Sequence, residues 1–355
     1  MAVHAVIMAG GRGERLWPLS TPGMPKQLHS FGMAGSLLRS TYGRMSGITV
    51  SERVYAVTNA EIAGKVQEQL PEVPAENILV EPVGRNTAPC IAYAALAISR
   101  KDPDAVMAVF PADHLVADHA RFTEAISFGI DMLRDHPELL ITLGMVPNHP
   151  ETGYGYIAPG EVIAGDREHR LHRVVTFREK PDLETAKEYI DNGFLWNAGM
   201  FLWRADTILD AFRAHLPRLY SHLSAMASRA AIRTEDVREF YEKVEAVSID
   251  YGVMEKASDA GVIPAEFGWN DIGSWDALGK ILPGDMNGNV INGDALLHES
   301  SGSVVWSTEK KVVLLGIQDL VVVEGEEAIL ICPRKRSQDI GRISRLAGGK
   351  SKKKE

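Results

Sequence analysis

Val3-His-Ala-Val-Ile-Met-Ala-Gly-Gly-Arg-Gly-Glu-Arg-Leu-Trp-Pro-Leu19 is the stretch that decides the fold. Residues 3–8 are apolar at nearly every position, the pattern of a strand buried on both faces. Gly10, Gly11 and Gly13 then break the strand. Glycines let backbone come close to a ligand and turn successive N–H groups toward phosphate oxygens. A helix start after the loop would add its positive end. The Walker pattern GxxxxGK[ST] is absent, and the dinucleotide fingerprint is partial: Gly11 and Gly13 fit, but Leu16 takes the third glycine's place. Arg12, Arg15 and, after Pro25, Lys26 surround the loop with cations, as a triphosphate requires. A turn with ordinary surface cations is the bland alternative.

Outward from this stretch, short β-branched runs alternate with helical patterns. Residues 54–58, 78–81, 105–110 and 139–143 read as strands, and 60–69, 87–96 and 122–134 as helices. Such alternation predicts an α/β fold: a Rossmann-like mixed, mostly parallel sheet with helices on both faces. Further on, 171–177 and 199–203 read as strands, and 183–192, 205–215 and 234–244 as helices. From about residue 287 short strands recur every eight residues or so. They predict a small C-terminal β-solenoid (left-handed β-helix-like) unit, closed by a terminal helix near 337–346. The expected boundaries are 1–286 for a catalytic domain, 287–335 for the β-helix-like domain, 336–347 for the helix and 348–355 for a charged, solvated tail.

Composition narrows the function. A formal net charge of -9 over 355 residues argues against general nucleic-acid binding, which needs basic stripes. The two cysteines, Cys90 and Cys332, lie far apart and fit a reducing compartment, with cytoplasmic placement expected. The apolar N-terminal run has no basic region before it and reads as a strand rather than a signal peptide. No run approaches 18 apolar residues, so no membrane span is expected.

Ala9-Gly-Gly-Arg-Gly-Glu-Arg-Leu-Trp-Pro-Leu-Ser20, followed by Pro25-Lys-Gln27, resembles the signature of the sugar nucleotidyltransferases. Glu81-Pro-Val-Gly-Arg-Asn-Thr-Ala-Pro89, Pro111-Ala-Asp-His114 and Trp269-Asn-Asp-Ile-Gly-Ser-Trp275 narrow the resemblance to the mannose-1-phosphate guanylyltransferases. Phe177-Arg-Glu-Lys-Pro181 and Trp196-Asn-Ala-Gly-Met200 also fit, and the match runs from residue 2 to about 346. It implies transfer of GMP from GTP to α-D-mannose 1-phosphate, giving GDP-mannose and pyrophosphate, with Mg2+ as cofactor. Thr21-Pro-Gly-Met24 departs from the pattern by lacking a basic residue just after Ser20, which puts one phosphate contact in doubt.

The residues carry physical readings beside that resemblance. Asp113 ends a predicted strand, where ligands bind in open α/β sheets. Asp271 lies in a turn between two tryptophans. Magnesium prefers hard oxygens and often takes one or two carboxylates plus phosphates. Asp113 and Asp271 are therefore the expected metal pair, which the resemblance supports; a turn-capping Asp113 and a helix-capping Asp271 are the alternatives. Gly84, Arg85, Asn86, Thr87 and Ala88 follow a strand and open a helix, and the resemblance assigns this loop, with Glu81, to guanine and ribose. Ala9, Gly10, Gly11, Arg12, Gly13, Pro111 and Asp113 complete the nucleotide set. Glu179 suits vicinal sugar hydroxyls and Lys180 a sugar phosphate, unless the two belong to a cross-strand ion pair. Gly153, Asn197 and Gly199, with Asp271, complete the sugar-phosphate set. Trp196 and Tyr154 read as core or pocket wall, and His114 and His119 as structural or surface residues.

A sugar 1-phosphate is largely dianionic at neutral pH, since its second pKa is about 6, and needs no general base. Arg15, Lys26 and Asp113 form the expected catalytic set: Arg15 on the leaving pyrophosphate, Lys26 at the α-phosphorus, Asp113 on the metal. Three other readings compete: an enzyme for another sugar 1-phosphate, a non-catalytic regulatory subunit that binds GDP-mannose, and, weakly, a nicotinamide dehydrogenase. Phosphomannose isomerase activity from a cupin-type domain is not expected, and a homodimer through the solenoid is.

Overall fold

The computed structural model describes residues 1–11, 13–166, 168–178 and 180–348. Arg12, Glu179 and the tail from 349 lie outside the described residues. The chain forms two compact units, each discontinuous in sequence. One comprises Met1–Gly10, Thr41–Ala112 and Val116–Trp269; the other comprises Gly11–Ser40, Asp113–Leu115 and Asn270–Glu355.

The first unit is built on a nine-stranded sheet. Its strands are β1 (Val3–Met8), β2 (Val54–Asn59), β3 (Ile78–Glu81), β4 (Val106–Pro111), β5 (Leu140–Met145), β6 (Tyr156–Gly165), β7 (Arg170–Arg178), β8 (Leu195–Arg204) and β9 (Ala260–Ala265). They lie in the order β3-β2-β1-β4-β8-β5-β9-β7-β6. The β3-β2-β1-β4 half is wholly parallel, as expected, and β1 is buried through its centre. β8 enters antiparallel between β4 and β5. Side chains alternate across each strand. Val109, Phe201 and Trp203 join a core with Ile91 and Ile98 of helix Thr87–Ser99 and Phe212 of helix Ala205–His215. On the opposite face Phe110 meets Phe122 of helix His119–Asp135, ring centroids 5.6 Å apart.

β6 and β9 are not evident in the sequence, and the reason is chemical. β6 carries Pro159 and Gly160 and pairs with β7 through three register shifts, as an edge strand tolerates. β9 carries Gly261 and Pro264, which break the β-branched signal; an added Cβ at Gly261 would lie 2.9 Å from Leu171 Cδ1.

In the second unit the solenoid strands are β10 (Val290–Asn292), β11 (Ala295–His298), β12 (Val304–Trp306), β13 (Val312–Leu315), β14 (Leu320–Glu324) and β15 (Ile329–Pro333). β10, β12 and β14 stack in parallel, β11 stacks on β13, and β15 returns antiparallel on β14. Alternation gives the rungs two interiors. Val305, Val322 and Leu314 fill one. Val304, Trp306, Val321 and Val323 face the other, with Leu16, Phe31, Leu37 and Trp275 of the same unit. The terminal helix Ile340–Gly348 follows a 3-10 turn, Arg334–Asp339.

Glu324 fastens the turn between two rungs. Its Oε2 accepts the N–H groups of Thr308 (2.9 Å), Glu309 (3.0 Å) and Lys310 (3.0 Å), and the Ser307 hydroxyl (3.1 Å). Successive N–H groups form an anion-binding nest, here filled by the protein's own carboxylate. The N–H groups of Lys310 and Glu309, with smaller help from Thr308 and Ser307, hold its carboxyl down at about 2 against an opposing effect of burial. A carboxyl depressed from 4.5 contributes stability that is full above that pH and lost as pH falls toward the folded value. Wild type is therefore expected to exceed Glu324→Gln in urea stability at neutral pH, with the gap narrowing between about pH 5 and pH 3. A gap constant across that range would show that the charge at Glu324 contributes nothing.

Candidate active site

The second unit takes the chain over at Gly11. Gly13 has φ +59°, and an added Cβ there would lie 2.5 Å from Lys26 Cβ and 2.9 Å from Ser20 Oγ. The loop thus folds back directly onto Lys26, an approach only glycine permits. A single 3-10 turn, Glu14–Leu16, follows, anchored by buried Leu16. Arg15 on that turn is exposed. An added Cβ at Gly341 of the terminal helix would be 3.4 Å from Arg15 Cγ. Gln27 belongs to the Pro25-Lys-Gln27 stretch of the signature, with no role read for it there. It is buried, and its Nε2 donates to the Gly11 carbonyl at 3.1 Å, which fixes that carbonyl's direction.

Lys26 is only 6% exposed. Its Nζ lies 2.8 Å from Asp113 Oδ2 and donates to the Asp271 carbonyl at 2.5 Å and the Ile272 carbonyl at 3.4 Å. One ammonium therefore gathers both expected metal-binding segments. Burial pushes the Asp113 carboxyl up, but the Lys26 ammonium, His114 and hydrogen bonds from Lys26 and the backbone together outweigh it and hold it below the usual range. The Asp271 turn is strained: Ile272, β-branched and fully buried, sits at φ +46°. Asn270 Oδ1 accepts the Ile272 N–H at 2.7 Å, and Asp271 Oδ1 accepts the Gly273 N–H at 2.8 Å. Helix Trp275–Ile281 is capped by Ser274, whose Oγ accepts the Ala277 N–H at 3.2 Å. The helix-cap alternative for Asp271 is thereby removed.

The donor set fits a divalent ion that prefers hard oxygens. Asp113 is held ionised, a cation already rests against both segments, and an added Cβ at Gly11 would be 4.0 Å from Asp113 Oδ2. Among the described residues no group of three or more His, Cys, Asp or Glu forms a closed metal cage. Two carboxylates plus substrate phosphates are the usual magnesium arrangement.

The first unit holds the other residues singled out in the sequence. Ala9 and Pro111 close β1 and β4; the Ala9 N–H is committed to the Val57 carbonyl at 2.7 Å. In loop 84–88, Asn86 takes φ +68°, and its Oδ1 accepts the Thr87 N–H at 2.8 Å. Arg85 Nε donates to the Tyr241 carbonyl at 2.9 Å. An added Cβ at Gly84 would meet nothing within 4 Å. Glu81, 4% exposed, accepts the Tyr241 hydroxyl on Oε1 at 2.9 Å. Burial pushes its carboxyl up to about 7 despite that bond. Its Oε2 would be 3.0 Å from a Cβ at Gly10.

The expected sugar residues cluster less simply. Asn197 and Gly199 form an irregularity where β8 pairs with β5. Gly199 has φ +63° and donates its N–H to Asn197 Oδ1 at 3.0 Å. Gly153 donates its N–H to Glu151 Oε1 at 2.9 Å. Lys180 is exposed at φ +35°. Tyr154 packs edge-on against Trp196 (5.2 Å) and Trp269 (5.0 Å).

The family model described as Nucleotidyl transferase matches residues 4–287, and the MannoseP isomerase/GMP-like beta-helix domain matches 293–345. A mannose-1-phosphate guanylyltransferase of Klebsiella pneumoniae is 40% identical over 342 residues, covering 94% of this chain and 72% of that protein. One from Escherichia coli K12 is 39% identical over 349 residues, with 96% and 72% coverage. The chain belongs to the mannose-1-phosphate guanylyltransferase family. Among solved structures, a Thermus thermophilus protein described as mannose-1-phosphate geranyltransferase superposes with TM-score 0.88 at 32% identity, covering 98% of this chain and 100% of that one.

For a guanylyltransferase-family protein, Glu81 gives a readable titration. Folded Glu81 keeps its proton up to about pH 7, whereas the unfolded chain releases it near 4.5. The folded state then binds more protons between these values, so stability falls as pH rises from 4.5 to 7 and levels off above. At about 1.4 kcal/mol per pH unit the decline from this group is about 3 kcal/mol. Glu81→Gln is expected to remove that slope in urea titrations from about pH 4.5 to 8; an unchanged slope would mean Glu81 is ionised throughout.

Proposed function

We propose that this protein transfers GMP from GTP to α-D-mannose 1-phosphate, releasing pyrophosphate and forming GDP-mannose. The observation that carries this reading is the Lys26 ammonium on Asp113 and the Asp271 carbonyl, against a glycine loop, in a chain of this family.

Loop residues 10–13 and exposed Arg15 take the triphosphate, and Arg15 stabilises the departing pyrophosphate. Loop 84–88 and Glu81 take guanine and ribose. Gly153, Glu179, Lys180, Asn197 and Gly199 take the mannose 1-phosphate. Its phosphate attacks the α-phosphorus in line, with no proton to remove. Lys26 offsets charge at the α-phosphorus, drawing on the same ammonium that neutralises Asp113. Asp113 and Asp271 would hold a divalent ion, Mg2+ in this proposal, which supplies charge neutralisation of the phosphates when bound.

We assign the transfer to residues 1–286, with a β-helix-like domain at 287–335, a terminal helix at 336–347 and a tail at 348–355. Among the described residues no helix is long and apolar enough to cross a membrane. Cytoplasmic placement is part of the proposal. A homodimer through the solenoid is supported by exposed Leu296, Val313, Leu315, Ile329 and Ile331; a single-copy mass in light scattering at micromolar concentration would exclude it.

Pyrophosphate release is the direct assay, with GTP and ATP each offered with mannose 1-phosphate and glucose 1-phosphate. GTP with mannose 1-phosphate is expected to be the preferred pair. Lys26→Ala is expected to lower kcat on the order of 100-fold with a smaller change in KM. Preference for another pair would overturn the substrate assignment, and near-normal turnover in Lys26→Ala would overturn the role of Lys26.

A further inference from the structure

No motif in the sequence singles out residues 247–250, yet they touch both the base loop and Asn197. The Val247 N–H donates to the Arg85 carbonyl at 3.2 Å, and the Val247 carbonyl accepts the Ala88 N–H at 3.1 Å. The Ile249 N–H donates to Thr87 Oγ1 at 2.8 Å. Asp250 then accepts Asn197 Nδ2 on Oδ1 at 2.7 Å. It also opens a one-turn π-helix, Asp250–Met254, an irregularity found mostly at functional sites.

The orientation of the Asn197 amide is forced by this network. The Gly199 N–H can only donate, so the atom it meets must be the amide oxygen. The other atom is the NH2 group, and the Asp250 carboxylate is its acceptor. An amide offers two N–H groups and two lone pairs, and one of each is committed here. The Gly199 N–H holds the oxygen end and Asp250 the nitrogen end, so losing Asp250 leaves the amide held at one end alone.

We propose that Asp250 is a positioning residue for the sugar-phosphate substrate: it fixes the Asn197 amide, and the strap 247–250 links that amide to the base loop through Thr87. The proposal rests on the assignment of Asn197 to the sugar phosphate and of loop 84–88 to guanine. Thr87 and Asn197 are thereby joined by one short strap, through the Ile249 N–H at one end and the Asp250 carboxylate at the other.

Steady-state kinetics of the full chain with GTP and mannose 1-phosphate test this. Asp250→Ala is expected to raise KM for mannose 1-phosphate about tenfold, since a charge-assisted bond is lost, while KM for GTP stays within about twofold. Asp250→Asn keeps an acceptor and is expected to restore KM to within about threefold of wild type. Thr87→Val, cut at the other end of the strap, is expected to raise KM for mannose 1-phosphate even at saturating GTP. Should Asp250→Ala not fold, Asp250→Glu decides: it keeps a carboxylate but displaces its oxygens from the Asn197 amide, and is expected to raise KM for mannose 1-phosphate with KM for GTP within about twofold. The proposal is overturned if Asp250→Ala leaves KM for mannose 1-phosphate unchanged, if both KM values rise together, or, where Asp250→Ala does not fold, if Asp250→Glu leaves KM for mannose 1-phosphate unchanged. A wild type that turns over while Asp250→Ala is indistinguishable from it strikes this proposal alone. A wild type that forms no GDP-mannose strikes the proposed function instead.

Discussion

Lys26 Nζ is a cation that water barely reaches, and taking an ammonium out of water costs several kcal/mol unless partners compensate. Here the compensation comes from the Asp113 carboxylate and two consecutive carbonyls, of Asp271 and Ile272. These partners lie 87 and about 245 residues away along the chain, so satisfying one charge draws three separate segments together. Gly13 closes the arrangement from the other side by lying against the Lys26 stem. The strained Ile272 persists because its side chain is locked in a core with Leu16 and Trp275. Geometry at the glycine loop is thus a consequence of a buried charge rather than of loop sequence alone.

The protein uses two carboxylates in opposite ways. Asp113 is held ionised by the neighbouring ammonium and stays an acceptor for cations through the neutral range. Glu81 is buried with one tyrosine hydroxyl as its partner, and burial pushes its carboxyl up to about 7. Environments that push similar groups apart in this way mark distinct roles. Asp113 suits metal and phosphate chemistry. Glu81 suits a contact whose strength depends on its own protonation.

Much of the fold was legible because its signals are local. The apolar run of β1, the helical pattern from residue 87 and the helix Ala205–His215 each announce themselves within a short stretch of chain. The solenoid strands were readable from spacing. β6 and β9 were not, because proline and glycine inside them mimic loops, and only pairing with neighbours makes them strands. The site divides the same way. Asp113 and Asp271 could be named from motifs, but that Lys26 bridges their segments, and that Ser274 caps the helix after Asp271, depends on tertiary contacts. Tyr241 and Asp250 gave no signal at all. Their bonds to Glu81 and Asn197 span 160 and 53 residues, and neither lies in a motif that chemistry alone would flag.

The central claim is that the convergence built around Lys26 is where a divalent ion and the nucleotide phosphates bind. Electron paramagnetic resonance of Mn2+ tests it most directly, with the α,β-methylene analogue of GTP present to prevent turnover. A single bound Mn2+ per chain is predicted for wild type, with binding weakened at least about tenfold in both Asp113→Ala and Asp271→Ala. Equal Mn2+ binding in all three proteins would contradict the account.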